Sequence, residues 1–233
     1  MQTTKGLIVG VAALLAASTA FASSGDSKTL AKATTVLSEI RNAPDNGIPD
    51  SVWNRAECVV VIPGMKKAGF ILGGEFGSGV MSCKHGNAWG APVFMQLAKG
   101  SAGLQAGISS TDLVLLVMNR SGVQKLLNNK VTLGADASIA AGPVGRTASA
   151  GTDAQMTAEM LSYSRSKGIF AGIDLSGGTL KPDTDANAAM YGGVSAKDIA
   201  LGTTPVTMTA EGRAFTNALS QGVRATTGVK PRY

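Results

Sequence analysis

Short apolar runs alternate with glycine-rich interruptions from Cys58 to Gly90, CVVVIPGMKKAGFILGGEFGSGVMSCKHGNAWG, with few ionisable groups among them. Runs of β-branched and aromatic residues bounded by Gly, Pro and Asn read as strands. The pattern predicts strands at Cys58 to Ile62, Gly69 to Phe76, Val80 to Lys84 and Ala88 to Gln96. Gly77-Ser78-Gly79 and His85-Gly86-Asn87 read as the hairpin connections between the later ones. Leu104 to Ile108 and Leu113 to Met118 add two strands, the second apolar enough to be buried on both faces. Thr132 to Ala140, Thr157 to Ser164 and Gly168 to Leu175 continue the sheet, and Thr179 to Lys181 forms a short edge.

Helical spacing appears at the two ends of this β-rich block. Leu30, Ala33, Leu37 and Ile40 fall at three- and four-residue steps, predicting a helix from Lys28 to about Arg41 with Ser27 as its cap. This helix either packs on its own domain or lies on a membrane with Lys28, Lys32 and Arg41 near anionic headgroups. A short helix follows from Ile48-Pro49 through Ala56, and another interrupts the strands at Gly122 to Asn128. Asn187 to Tyr191 and Ala196 to Leu201 read as short helical turns. Thr209 to Gln221 is a last helix whose small polar residues give it little to bury, so Thr203 to Tyr233 is expected to be loosely docked. The expected fold is α+β: a twisted antiparallel sheet curled toward a barrel or sandwich, N-terminal helices packed on it, and a short helical excursion.

Composition gives the chain an address. Lys5, the apolar run Gly6 to Ala17 and Ala20-Phe21-Ala22 form a signal-peptide pattern, with cleavage expected after Ala22 and export to a periplasm or beyond. The division that follows is a signal at 1–22, a domain at 23–193 and a tail at 194–233 with weak helical segments. Removing Lys5 takes the formal charge from +6 to +5, a mild basic excess suited either to anionic surfaces or simply to solubility. The bases are dispersed and the aromatics do not interleave with them, which argues against nucleic acid.

Two cysteines, Cys58 and Cys83, remain after processing. In an oxidising compartment they pair, closing a loop of about 26 residues, or else stay as two buried thiols. With His85 the sole histidine and no CxxC or HxxxH spacing, neither a metal nor another cofactor is expected. Catalytic motifs are equally scarce. Gly73 to Gly79 lacks the order of a nucleotide-binding loop, no GxSxG is present, and His85 has no evident nucleophile. Asp112, Asp136, Asp153 and Glu159 could supply paired carboxylates, but read better as turn-forming or solvated acids. The chain reads as a binding protein without catalysis, an unrecognised hydrolase being the contrary reading.

Five ordered blocks, IPGMKKAGFILGGEFGSGV (62–80), WGAPVFMQL (89–97), GLQAGISSTDLVLLVMN (103–119), TLGADASIAAGPVGR (132–146) and YSRSKGIFAGIDLSGG (163–178), together resemble the SYLF domain. The resemblance runs from about Leu30 to Gly193 and implies a phosphoinositide-, lipid- or membrane-binding module. A yeast branch of the SYLF family binds and bundles actin beside SH3 domains. Bacterial members with signal peptides look like exported versions whose ligands are poorly defined, and an exported address would keep this chain from actin and cytosolic phosphoinositides. An anionic lipid or membrane surface is therefore the expected partner, with an envelope protein-interaction or scaffold role as the alternative. Candidate lipid contacts are Lys66 and Lys67, in a turn expected after Pro63-Gly64, and Arg120, Arg146, Arg165 and Lys167 at strand or helix ends.

Overall fold

The computed structural model describes residues 24–41, 47–69, 72–102, 107–128, 130–144, 155, 157–166 and 169–221. The expected signal peptide with its cleavage after Ala22, and the candidates Arg146 and Lys167, lie outside the described residues. In chain order the elements are α1 (Ser24–Arg41), α2 (Asp50–Arg55), β1 (Cys58–Gly69), β2 (Leu72–His85), β3 (Ala88–Trp89), β4 (Val93–Ala102), β5 (Gly107–Val117) and α3 (Arg120–Leu126). After them come β6 (Val131–Thr132), β7 (Ile139–Ala141), β8 (Met160–Ser166), β9 (Ile169–Gly172), β10 (Thr179–Pro182), α4 (Thr184–Tyr191), α5 (Ala196–Leu201) and α6 (Ala210–Gln221).

The strands form one curled sheet in the order β6-β10-β4-β2-β1-β5-β8-β7, with β3 joined to β2 and β9 to β8. As expected, the fold is α+β with a sheet bent toward a half-barrel. One departure is that β7 runs parallel to β8, so the sheet is mixed. Another is that Thr179–Pro182 lies between β4 and the two-residue β6 and is not an edge. The stretch expected as one strand from Thr132 to Ala140 is broken by a tight turn, where Gly134 has φ +84° and the Asp136 carboxylate accepts the Thr132 N–H at 2.7 Å. Within the segment expected as two strands from Leu104 to Met118, Gly107–Val117 is one continuous strand.

The longest strands differ from expectation at their glycines. Pro63-Gly64 was expected to turn the chain, yet β1 runs through it as a bulge. Its pairing shifts between Val61 and Lys66 against β2, and between Ile62 and Met65 against β5. Proline lacks an N–H for the ladder and Gly64 takes φ +61°, so the two residues suit a bulge as well as a turn. The freed Gly64 N–H donates to Asp112 Oδ1 at 2.8 Å. Lys66 and Lys67 consequently sit in a strand and not in a turn. Gly77-Ser78-Gly79 is likewise no hairpin but the middle of β2. A Cβ on Gly77 would lie 2.6 Å from Ile62 Cγ2, and one on Gly79 would lie 2.2 Å from the Val61 carbonyl oxygen. These two glycines let β2 lie directly under the bulged strand.

The helices cover the sheet with the faces their spacing predicts. Leu30, Ala33, Leu37 and Ile40 of α1 are buried, and α1 packs on β1, β2 and α6. Its apolar stripe is thereby occupied inside the molecule, which corrects the reading of α1 as a membrane-lying helix. Lys28 and Lys32 remain exposed on its outer side, while Arg41 ends the helix. The expectation of a loosely docked last helix fails for α6. Phe215 and Leu219 are fully buried, each contributing about 2 kcal/mol of burial. The helical excursion begins earlier than expected, at Arg120, because the Asn119 side chain caps it by accepting the Gly122 N–H at 2.9 Å.

Candidate functional site

The flanking strands stop short of the ends of the central four. The β8 pairing reaches β5 only as far as Asp112, and the β10 pairing reaches β4 only as far as Ala98. Beyond those points β4, β2, β1 and β5 continue as a narrower four-stranded extension. Directly opposed residues in an antiparallel ladder share a face. The register sets Ala98 opposite Phe76, Phe76 opposite Lys66 and Lys66 opposite Ser110. Gly74, Ser78 and Gly100 surround this row on the same face, by the two-residue alternation of a strand.

On this floor of small residues Phe76 stands 57% exposed, in contrast to the deep burial of Phe94 and Phe215. Lys66 is exposed beside it, and Lys181 of β10, opposed to Gln96, is exposed two strands away. The reverse face carries Lys67, ion-paired to Glu75 at 3.1 Å, and Lys99, whose ammonium donates to the Asp174 carbonyl at 3.0 Å. Asp112 is engaged by the Gly64 N–H and by Arg165 at 3.3 Å. The result is an exposed aromatic ring, flanked by lysines, on an otherwise flat surface.

The other candidates fall elsewhere. Arg165 pairs with Glu39 of α1 as well as with Asp112, so it fastens the helix to the sheet. Arg120 lies at the opposite end of β1, since Cys58 is opposed to Val117 while Lys66 is opposed to Ser110. At about 3.3 Å per residue that places it on the order of 25 Å from Lys66. Among the candidate lipid contacts, Lys66, Lys67, Arg120 and Arg165 therefore do not share one surface. Cys58 and Cys83 are directly opposed in the β1–β2 register and form a disulfide. Phe76 and Lys181 went unnoticed in the sequence. Phe76 falls at a solvent-facing position only once the register across β1 and β4 is known.

Of the carboxylates that could supply acid–base chemistry, Asp112, Asp136 and Glu159 serve structural ends. Asp136 closes its turn, and its pKa is lowered chiefly by the hydrogen bond from the Thr132 backbone. Asp153 lies outside the described residues. Glu159 is buried and accepts from Ser121 Oγ at 2.5 Å, Lys125 Nζ at 2.8 Å and the Ser138 N–H at 2.9 Å. Burial opposes its ionisation, but Lys125, Ser121 and Ser138 outweigh it and bring the carboxyl from 4.5 to about 2. A depressed folded-state pKa stabilises the protein above the unfolded value, and that stability is lost as pH falls through the folded one. Allowing for solvent screening at the part-exposed Lys125, acidification from pH 4.5 to 2 should remove about 2 kcal/mol through this residue. Denaturant unfolding at stepped pH should show a shallower acid-side loss in Glu159→Gln; an identical slope would assign the loss to other groups.

No helix among the described residues is long and apolar enough to cross a membrane, and no group of three or more His, Cys, Asp or Glu among them could hold a metal ion.

Comparison with known proteins identifies the domain. A family model described as "Ysc84: Las17-binding protein actin regulator" matches residues 98–221, over half of the 233-residue chain. Similar proteins include SH3 domain-containing protein PJ696.02 of Schizosaccharomyces pombe, 38% identical over 160 residues, covering 66% of this chain and 37% of that protein. LAS seventeen-binding protein 3 of Saccharomyces cerevisiae is 34% identical over 192 residues, covering 77% of this chain and 42% of that protein. SH3 domain-containing YSC84-like protein 1 of Homo sapiens is 31% identical over 185 residues, covering 77% and 54% respectively. The chain thus spans about half or less of the length of these relatives. With the ordered blocks, the curled sheet and this match in agreement, the chain belongs to the Ysc84 family, the SYLF-domain family.

Proposed function

We propose that this chain is a non-catalytic binding module that docks on anionic lipid surfaces through the extension of β4, β2, β1 and β5. The observation that carries this reading is the 57% exposure of Phe76, a large apolar ring on a sheet of small residues with Lys66 directly opposite. An aromatic ring in this position enters the interfacial zone of a bilayer, while neighbouring lysines remain with the phosphates. Each lysine near such a surface contributes about 1 kcal/mol, attenuated by salt. Export, as expected from residues 1–22, would present the surface to envelope lipids.

Sedimentation with phosphatidylcholine vesicles containing graded phosphatidylglycerol tests the proposal. Binding should rise with anionic content, fall with salt, and weaken roughly tenfold in Phe76→Ser and in Lys66→Glu. Equal pelleting with neutral and anionic vesicles at low salt would remove the electrostatic part.

A protein partner is the second reading, favoured by the Las17-binding description of the family and by the name of the yeast relative. The same flat face would then receive a protein surface. Loss of a purified envelope partner in Phe76→Ser, with no vesicle binding by the unaltered chain, would select this reading.

A further inference from the structure

At the opposite end of β1 from Phe76, a cavity of about 320 Å³ opens between α3, the end of β2 and α5. Its floor includes the Cys58–Cys83 disulfide and Val123, and its rim carries Leu201, which is 43% exposed. Arg120 and Gln124 stand one helical turn apart on α3 and both line the cavity. Both are exposed, and neither has a hydrogen-bond or ion-pair partner among the described residues. The opposite wall is more constrained. The His85 ring fits where Gly90 and Gly202 leave no room for a Cβ, at 2.7 and 2.5 Å from its Cε1, and its Nε2 donates to the Ala200 carbonyl at 2.8 Å. Lys84 directs its ammonium to the Asn54 carbonyl at 2.9 Å, 5.1 Å from the centre of the Trp89 ring. Burial holds the Lys84 ammonium below the usual lysine pKa, and the charge of Glu57, the acid of the lining, partly opposes that shift.

From this arrangement we infer a second binding site, one that takes a compact oxyanion, a phosphate or carboxylate, between Arg120 and Gln124. A guanidinium offers paired donors matched to two oxygens of such a group, and the side-chain amide one turn along adds a third. Of the two cations in the lining, Lys84 is committed to the Asn54 carbonyl and the Trp89 ring, which leaves the Arg120 guanidinium to meet a ligand. The volume exceeds that of a bare phosphate, so the ligand has a body as well as a charged group. Val123 and Leu201 supply apolar contact for that body. Because the cavity is far from Phe76, this site goes beyond the lipid-docking reading and does not depend on it.

Inorganic phosphate is the direct probe. Titrated at low ionic strength into the full chain, it should move the backbone amide resonances of Arg120 to Gln124 and of Lys84 to His85 saturably. Arg120→Ala should weaken the midpoint at least tenfold, Gln124→Ala severalfold, and Lys66→Glu should leave it unchanged. Both α3 side chains are exposed, so the variants should retain the thermal midpoint of the parent, which the same samples verify. Shifts that grow linearly without saturation, or the same midpoint in Arg120→Ala, would overturn the site. Vesicle sedimentation separates the sources of the oxyanion. Unchanged pelleting of Arg120→Ala assigns the site to a soluble ligand, whereas a parallel loss assigns it to a lipid headgroup reaching the cavity.

Discussion

Replacing Gly79 with alanine is expected to destabilise the domain by about 3 kcal/mol, because the nearest atom the new methyl would meet is backbone and cannot turn aside. Its Cβ would stand 2.2 Å from the Val61 carbonyl oxygen and 2.7 Å from Ile62 Cγ1. Val61 is the last residue of β1 paired with β2 before the bulge, so the clash must be relieved by separating the two central strands. Gly74→Ala is the matched control. It lies in the same strand, and nothing stands within 4 Å of where its Cβ would be. Denaturant unfolding of the two variants should therefore differ by several kcal/mol in favour of Gly74→Ala. Equal stability would mean that β1 and β2 do not approach this closely in solution.

Loss of the Cys58–Cys83 bond should have an effect of similar size. The bond closes a loop of about 26 residues, and the chain-entropy relation gives about 3.5 kcal/mol for that length. Both strands are already in register through the ladder from Cys58–Cys83 to Val61–Val80, so the reduced chain keeps the same fold while its unfolded ensemble gains freedom. Unfolding of the double variant Cys58→Ser/Cys83→Ser, compared with the oxidised parent, measures this directly. A difference below about 1 kcal/mol would show that the unfolded chain is already compact enough to make the crosslink redundant.

Much of the architecture was legible because it rests on short-range patterns. The α1 stripe, the apolar run Leu113 to Val117 and the turn at His85-Gly86-Asn87 each place their residues as alternation and turn chemistry require. The errors concentrate where one residue type serves two physical ends. Glycine marks a reversal of the chain at Gly86, with φ +62°, and marks close strand contact at Gly77 and Gly79, although both stretches carry the small polar residues of a turn. Pro63-Gly64 misled for the same reason.

The site was less legible. Charge and position mark Lys66 and Arg165 alike in the sequence, yet Lys66 lies beside the exposed ring whereas Arg165 is held by Glu39, distant in sequence. Only the folded register separates a free cation from a neutralised one. Phe76 gives no signal in the sequence, since an aromatic residue in a glycine-rich strand reads as core until its neighbours across two strands are known. The docking of α6 was missed because Phe215 and Leu219 alone, among small polar residues, are enough to seat it.

The packing of α1 against α6 governs the order in which the molecule can be completed. Residues 24–41 are made well before residues 210–221, so during synthesis α1 must wait for the strands and helices between them before this neighbour arrives. Contacts so distant in sequence carry the largest loop-closure entropy and form slowly. Until then α1, though already able to pack on β1 and β2, keeps part of its apolar surface open to water, and the nascent chain stays exposed to aggregation until α6 emerges.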